Sequence, residues 1–366
     1  MPAQPACSRA FLLLLLSLVV AGLAAAQTPE PPGSQIVDVT VHSPGLEHNL
    51  LGDSADQKVS IVLPAAYAQD SGRRFPVLYF LHGYSDPTPR HQAAALFRDD
   101  LDRLIAAGRA EPFIIVLPNG VNKYRGSFYV NSSTMGNWED YIVRDVVGYV
   151  DAHYRTLADP AHRVIAGHSM GGFGALTLAF RHPDVFSFVY AMSPCCTDLV
   201  GDLGPSNFAW RQIATLQSPD DVPAALAKAQ FFVAANAAMD AALAPDPNSK
   251  IYGDAPFVLV DGQMRTDPAA FSRIAANMPA NMIIPLLKNI VQLKGIVIEY
   301  GAQENFSHII LGAQEISARL AQAGVPDTLD VFQGDHANHL QERIGDHLLP
   351  WVASRFSQQI DSRATP

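Results

Sequence analysis

Arg163-Val164-Ile165-Ala166-Gly167-His168-Ser169-Met170-Gly171-Gly172-Phe173-Gly174-Ala175-Leu176-Thr177-Leu178-Ala179-Phe180 decides how this chain is read. A short apolar run leads into Gly167, and a helix-like apolar run leaves Gly172. The order is strand, sharp turn, helix, with Ser169 at the turn. A G-x-S-x-G turn of this kind holds the serine backbone in a strained conformation and lifts its hydroxyl clear of the sheet. The flanking glycines are required because a Cβ there would clash. The five-residue pattern alone arises by chance on the order of 0.1 times in a chain of this length, at ~7% each for glycine and serine. The strand before it and the helix after it are what make it specific. The bland alternative is an ordinary Gly-rich strand-to-helix turn.

The rest of the chain repeats this rhythm. Strand-like runs cover Gln35 to Val41, Val59 to Leu63, Pro76 to Leu81, Pro112 to Leu117, Val164 to Ala166, Phe188 to Met192, Gly295 to Tyr300 and Thr328 to Phe332. Apolar runs of four to six residues between turn residues suit strands buried on both faces of a parallel sheet. Helical stretches lie between them. Trp138 to Tyr154 carries Tyr141, Ile142, Val146 and Val150 near a 3.6 period. Ser307 to Ala323 starts with Ser307 as a cap and stops at Gly324, and Ile344 to Phe356 closes the chain. The alternation predicts an α/β fold: a mostly parallel, doubly wound sheet with helices on both faces. Residues 197–289 break the rhythm. They are rich in Ala, Pro and Asp, with a helix-like run from Pro223 to Met239. They read as a partly helical cap-like insertion over the strand ends, the alternative being a surface decoration. The core domain is then residues 35–196 and 290–366.

At the other end, Arg9, the apolar stretch Phe11 to Val20 and Ala24-Ala25-Ala26 before Gln27 predict a signal peptide over residues 1–26. The apolar core is short for a membrane span of about 20 residues. Residues 27–34 form a Pro-rich lead-in, and export places the mature protein outside the cell or in the periplasm. A net charge of −10 argues against nucleic acid as a partner. A hydrophobic content of 48% supports a sizeable core, and no later stretch reads as a membrane span. Cys7 would leave with the signal peptide. Adjacent Cys195 and Cys196 can pair only in a strained ring, so they read as two small buried residues after a strand, with a redox role as the alternative. No metal-ligand spacing is present, and no cofactor is implied.

Serine is a weak nucleophile at neutral pH. It needs a base, and the base needs a carboxylate to fix its tautomer. In folds of this plan the chain order is serine, acid, histidine. Glu304 follows the strand that ends at Tyr300, and His336 follows the last strand. They are the candidate acid and base. His339 competes with His336, but it falls one turn on, in the helix. Asp335 competes with Glu304, but a sequence neighbour seldom turns its carboxylate onto the adjacent imidazole. Asp261 lies in the insertion. An oxyanion needs two fixed N–H donors. Met170 supplies one at the start of the helix, and Tyr84, after His82-Gly83, supplies the other. His82 reads as a structural histidine.

These residues, with Phe80-Leu81-His82-Gly83, Val116-Leu117-Pro118-Asn119-Gly120, Phe128-Tyr129-Val130-Asn131-Ser132, Trp138-Glu139-Asp140-Tyr141 and Gly334-Asp335-His336, resemble the putative-esterase (esterase D-like) family of α/β-hydrolases. That family includes feruloyl and acetylxylan esterases, S-formylglutathione hydrolases and the antigen 85 mycolyltransferases. The resemblance is good over residues 59–193, adequate over 295–356 and absent from the insertion. It implies the α/β-hydrolase fold, an acid at Glu304, and Tyr129 and Asn131 beside the substrate pocket, where they line it or only pack the loop. The expected activity is secreted serine carboxylesterase on a small-molecule or carbohydrate ester, such as feruloyl or acetyl esters. The alternative is an acyltransferase of the same fold with a sugar or lipid acceptor. Oligomeric state is not legible.

Overall fold

The computed structural model describes residues 33–364. The predicted signal peptide, residues 1–26, and residues 27–32 of the lead-in lie outside the described residues. Eight strands form one sheet: β1 (Gln35–His42), β2 (Asp56–Leu63), β3 (Val77–Leu81), β4 (Ile114–Pro118), β5 (Arg163–His168), β6 (Phe188–Met192), β7 (Gly295–Gly301) and β8 (Thr328–Phe332). Their order is β1-β2-β4-β3-β5-β6-β7-β8. β2 runs antiparallel to its neighbours β1 and β4, and every pairing from β4 to β8 is parallel. The fold is thus the mostly parallel α/β sheet expected from the sequence. β3 starts one residue after Pro76, which has no N–H to donate to a ladder.

The central strands are buried on both faces. Along β3, Val77, Tyr79 and Leu81 enter one apolar core, and Leu78 and Phe80 enter the other. α1 (Arg90–Ala106) covers the second core with Ala94, Phe97, Leu101 and Leu104. Charged neighbours dilute that stripe in the sequence, but its three- and four-residue spacing is helical. α2 runs through Trp138–Asp140, Tyr141–Val146 and Val147–His153, with a π-helical middle stretch. α2, α3 (Met170–Arg181) and α5 (Ser307–Gln322) cover the first core. The closing helix is longer than expected: Leu340–Arg343, a π turn over Ile344–Leu348, then α6 (Leu349–Ala364).

Residues 197–289 pack on the same first core through Val222, Ala225, Val233 and Ala237, among others. The single helix expected from Pro223 to Met239 is two helices, Asp221–Ala227 and α4 (Phe231–Leu243). Ala229, at φ 60°, sits in the left-handed region and ends the first. The break places Phe231 at the start of α4. The cap of α5 is also different from the one expected. Ser307 lies in the first turn, and Asp202 of the insertion accepts the N–H groups of Ser307 and His308 at 3.2 and 2.9 Å. A carboxylate at a helix N-terminus is favoured by the exposed N–H groups and the helix dipole.

A buried ionic latch ties the last strands to the closing helix. Glu299 of β7 is 1% exposed and accepts from Tyr190 of β6 at 2.6 Å and from Arg343 Nε at 3.2 Å. The same guanidinium pairs with Asp330 of β8. Removing one partner of such a pair leaves a buried charge uncompensated. Arg343→Met is therefore expected to lower stability by about 3–5 kcal/mol, seen as a drop in urea midpoint with unchanged m-value. A midpoint equal to that of the parent protein would show that the latch carries no net stability.

Candidate active site

The turn after β5 has the geometry its sequence requires. Ser169 sits at φ 58°, ψ −116°, and α3 begins at the next residue. Its N–H donates to the carbonyl of Met192 in β6 at 2.9 Å. A Cβ on Gly171 would lie 2.0 Å from the Leu81 carbonyl oxygen, and one on Gly167 would lie 2.3 Å from the Gly171 oxygen. The start of α3 is thus pressed against the end of β3, and only glycine fits there. The loop after β3 is consequently beside the serine: a Cβ on Gly83 would be 3.4 Å from Ser169 Cβ.

Two further loops complete the cleft. Those after β7 and β8 are joined by the Ala302 N–H to the Phe332 oxygen (2.7 Å) and the Gln303 N–H to the Gly334 oxygen (2.8 Å). This brings Glu304 and His336 together, with Nδ1 to Oε2 at 3.0 Å. The Glu304 side chain is fully buried and that of His336 is 16% exposed. The carboxylate can only accept, so Nδ1 carries the proton and Nε2 is left to act as a base. Ser169 and His336 line one cleft of about 490 Å³.

The competing residues point elsewhere. Asp335 accepts the N–H groups of Ala337 and Asn338 at 2.9 and 2.8 Å, and these bonds hold its carboxyl below the usual range. His339 is half-buried, stands at the N-cap position of Leu340–Arg343 and pairs with Glu342 at 2.8 Å. Asp261, at φ 49°, is exposed in the turn of the Phe257–Thr266 hairpin.

Two histidines shape the site without lining up as bases. His82 Nε2 accepts the Gly120 N–H at 2.8 Å, so its Nδ1–H donates to the Gly83 oxygen at 2.8 Å. Burial, then the charge of Arg90, pulls its pKa down to about 4. His168 Nε2 meets the His336 carbonyl oxygen at 2.8 Å and fixes the backbone at His336. Burial, then the charge of His336, pulls the His168 pKa down to about 3. Nothing in the sequence announces the His168 role, because the residue between glycine and serine in the turn follows no periodic pattern.

Tyr129 and Asn131 do not line the cleft. Tyr129 is fully buried, and its hydroxyl donates to the His82 carbonyl at 3.0 Å, so it braces the loop after β3 from behind. Asn131 is exposed and exchanges hydrogen bonds with Asp140, both at 3.1 Å. The walls are instead Tyr84, Phe231 and Phe306. The Phe231 and Phe306 rings stack at 5.6 Å, and Phe306 meets His336 edge-on at 5.0 Å. These three and Ser169 also border a smaller apolar lobe with Phe128, Leu203, Phe232 and Ile309. The larger lobe carries Asp86, Thr88, Arg90 and Gln341. Phe231 comes from the insertion, which therefore forms part of the cleft. Among the described residues no cluster of His, Cys, Asp or Glu is arranged to hold a metal, and no helix is long and apolar enough to cross a membrane.

Comparison with known proteins identifies the family and supports the fold. The sequence model of the putative-esterase family matches residues 54–251. Esterase Rv1288 of Mycobacterium tuberculosis is 36% identical over 157 residues, 41% of this chain and 32% of that one. An endo-1,4-beta-xylanase/feruloyl esterase of Xylanibacter ruminicola is 29% identical over 138 residues, 36% of this chain and 19% of that one. The matches thus span a third or less of those relatives. A solved ferulic acid esterase shares the fold at TM-score 0.63 and 23% identity, over 88% of this chain and 99% of that one. The chain belongs to the putative-esterase family.

The buried neutral histidines make stability depend on pH. An unfolded histidine takes up its proton near pH 6.5. His82 and His168 take theirs up only near pH 4 and 3 when folded. Between those values the unfolded state binds more protons, so stability falls as pH drops below about 6.5, on the order of 3 kcal/mol per histidine. His168→Gln keeps a donor for the His336 carbonyl and should flatten part of that decline in urea titrations from pH 7 to 4. An unchanged slope would mean that His168 is protonated in the fold.

Proposed function

We propose that this member of the putative-esterase family is an exported serine carboxylesterase. The observation that carries the reading is the strained Ser169 in one cleft with a His336 whose Nδ1 is held by buried Glu304. Ser169 Oγ attacks the ester carbonyl carbon while His336 Nε2 takes the hydroxyl proton. Glu304 fixes the imidazole and stabilises the imidazolium that forms. The N–H groups of Met170 and Tyr84 hold the tetrahedral oxyanion. Met170 stands at the first helical position, where no intrahelical acceptor exists for its N–H. The C–O bond breaks, the leaving alcohol takes the proton from His336, and water then repeats the sequence on the acyl-serine.

The two lobes suggest the ester. The smaller, apolar, aromatic-walled lobe, about 30 Å³, has room for a short acyl group such as acetyl or for one end of a longer one, and the larger lobe, with Asp86, Arg90 and Gln341, suits a polar alcohol. Acetyl esters of carbohydrates fit that division, and a feruloyl group would extend beyond the smaller lobe. The name of the xylanase/feruloyl esterase relative and the signal-like residues 1–26 support the same choice.

Hydrolysis of p-nitrophenyl acetate, butyrate and octanoate and of methyl ferulate tests this directly. Ser169→Ala and His336→Ala should each lose on the order of 10³-fold or more in kcat while staying folded, and Glu304→Ala should lose less. A fluorophosphonate should label the parent protein and not Ser169→Ala. Full activity in Glu304→Ala would remove Glu304 as the acid. Activity retained in Ser169→Ala would remove the mechanism.

A further inference from the structure

Cys195 and Cys196 have no part in the mechanism above, yet they border the smaller lobe together with Ser169. Both are free thiols. Cys195 follows β6 and its N–H donates to the Ser169 carbonyl oxygen at 3.2 Å, which tethers it at the nucleophile turn. Across the lobe stands His308, in the first turn of α5 and 4% exposed. Its Nδ1 meets Asp202 Oδ1 at 2.5 Å, and Asp202 also accepts the His308 backbone N–H. Among the described residues, His308 Nε2 has no hydrogen-bond partner, and it lines the same small lobe as Cys195. A thiol, an imidazole and a carboxylate therefore follow one another at the wall of the lobe. That is the arrangement that activates a cysteine nucleophile.

We propose that Cys195 is a reactive thiol, activated by His308 and Asp202, that undergoes exchange with small disulfides and in doing so blocks the acyl lobe. In that step the Cys195 thiolate attacks one sulfur of the disulfide. A new S–S bond forms, the old one breaks, and the second sulfur leaves as a thiolate that takes a proton from solvent. No other oxidant is required. The step reverses with excess thiol.

The charges facing Cys195 agree. Burial alone would raise its pKa, but the hydrogen bond from the Cys196 thiol, the neighbouring His308 imidazole and the charge of His336 outweigh it and bring it down to about 6. Burial alone would lower that of His308, but Asp202 and Cys195 outweigh it and bring it up to about 9. Cys196 moves the other way, pushed up by the Cys195 sulfur and by burial.

The blocking of the acyl lobe rests on the esterase reading; the reactivity of the thiol does not. The test therefore uses two readouts. Folded Ser169→Ala protein is treated with iodoacetamide from pH 4.5 to 9, and the alkylated peptides are mapped by mass spectrometry. Cys195 should be labelled with a half-maximal rate near pH 6 rather than the ordinary value of about 8.5, and Cys196 should be spared. His308→Gln should move the midpoint up by about one pH unit or more. Labelling of Cys195 only after unfolding in urea, or a midpoint near 8.5 in the otherwise unmutated chain, would overturn the proposal whether or not the His308 variant folds. In the second readout, bis(2-hydroxyethyl) disulfide should cut turnover of methyl ferulate by the parent enzyme about tenfold or more, and dithiothreitol should restore it. Full turnover with Cys195 modified would overturn the blocking. A parent enzyme that hydrolyses no ester, but labels as expected, would count against the esterase reading and not against the thiol.

Discussion

The contact between the start of α3 and the end of β3 governs this structure. With the Leu81 carbonyl only 2.0 Å from where a Gly171 Cβ would be, the backbones touch with nothing between them. That approach fixes the angle at which α3 leaves the sheet, and it forces Ser169 into φ 58° to make the turn. A non-glycine residue held at positive φ costs on the order of 1–3 kcal/mol and persists only where its surroundings determine it. Here the Met192 carbonyl on one side and the loop after β3 on the other supply that constraint. The energy is returned as position, because the serine oxygen is held out from the sheet before any substrate arrives.

Around that contact, neutral histidines serve as brackets. A buried imidazole that stays uncharged donates from one nitrogen and accepts at the other, so it can bind two backbone segments with fixed polarity. His82 joins Gly83 to Gly120, and Tyr129 holds the His82 carbonyl from behind. His168 joins the nucleophile turn to the backbone of His336. Glu139 plays the charged counterpart, holding Arg181 and His182 at the far end of α3. The family motifs around Tyr129 and Trp138-Glu139 are therefore framework for the loops around Ser169 rather than walls of the cleft.

What the sequence made legible follows from where the information is local. The strand-turn-helix around Ser169, the strand runs and the placement of Glu304 and His336 after strand ends all depend on residues adjacent in the chain or on a known order of elements. The misreadings are long-range. Ser307 has the chemistry of a cap, but Asp202, 105 residues away, fills that place with a charged acceptor. The run from Pro223 to Met239 has helical composition throughout, and a single alanine at positive φ divides it. Tyr129 near a pocket motif reads equally as lining or packing, and only the fold says that its hydroxyl points at His82. Cys195 is two-valued in the same way: nothing in its neighbours announces His308, which comes from beyond the insertion.

The link between β7 and α5 explains how two acid–histidine pairs can stand at one cleft without confusion. It carries Glu304, which turns to His336, and the first turn of α5 directly after it carries His308, which turns to Asp202. Phe306 lies between them, with its ring 5.0 Å from the His336 ring and 5.9 Å from that of His308. This apolar spacer keeps each carboxylate with its own imidazole, Glu304 with His336 and Asp202 with His308. It also makes one short segment answerable to both. A group added at Cys195 enters the lobe that Phe306 walls, and Phe306 is in edge contact with the base.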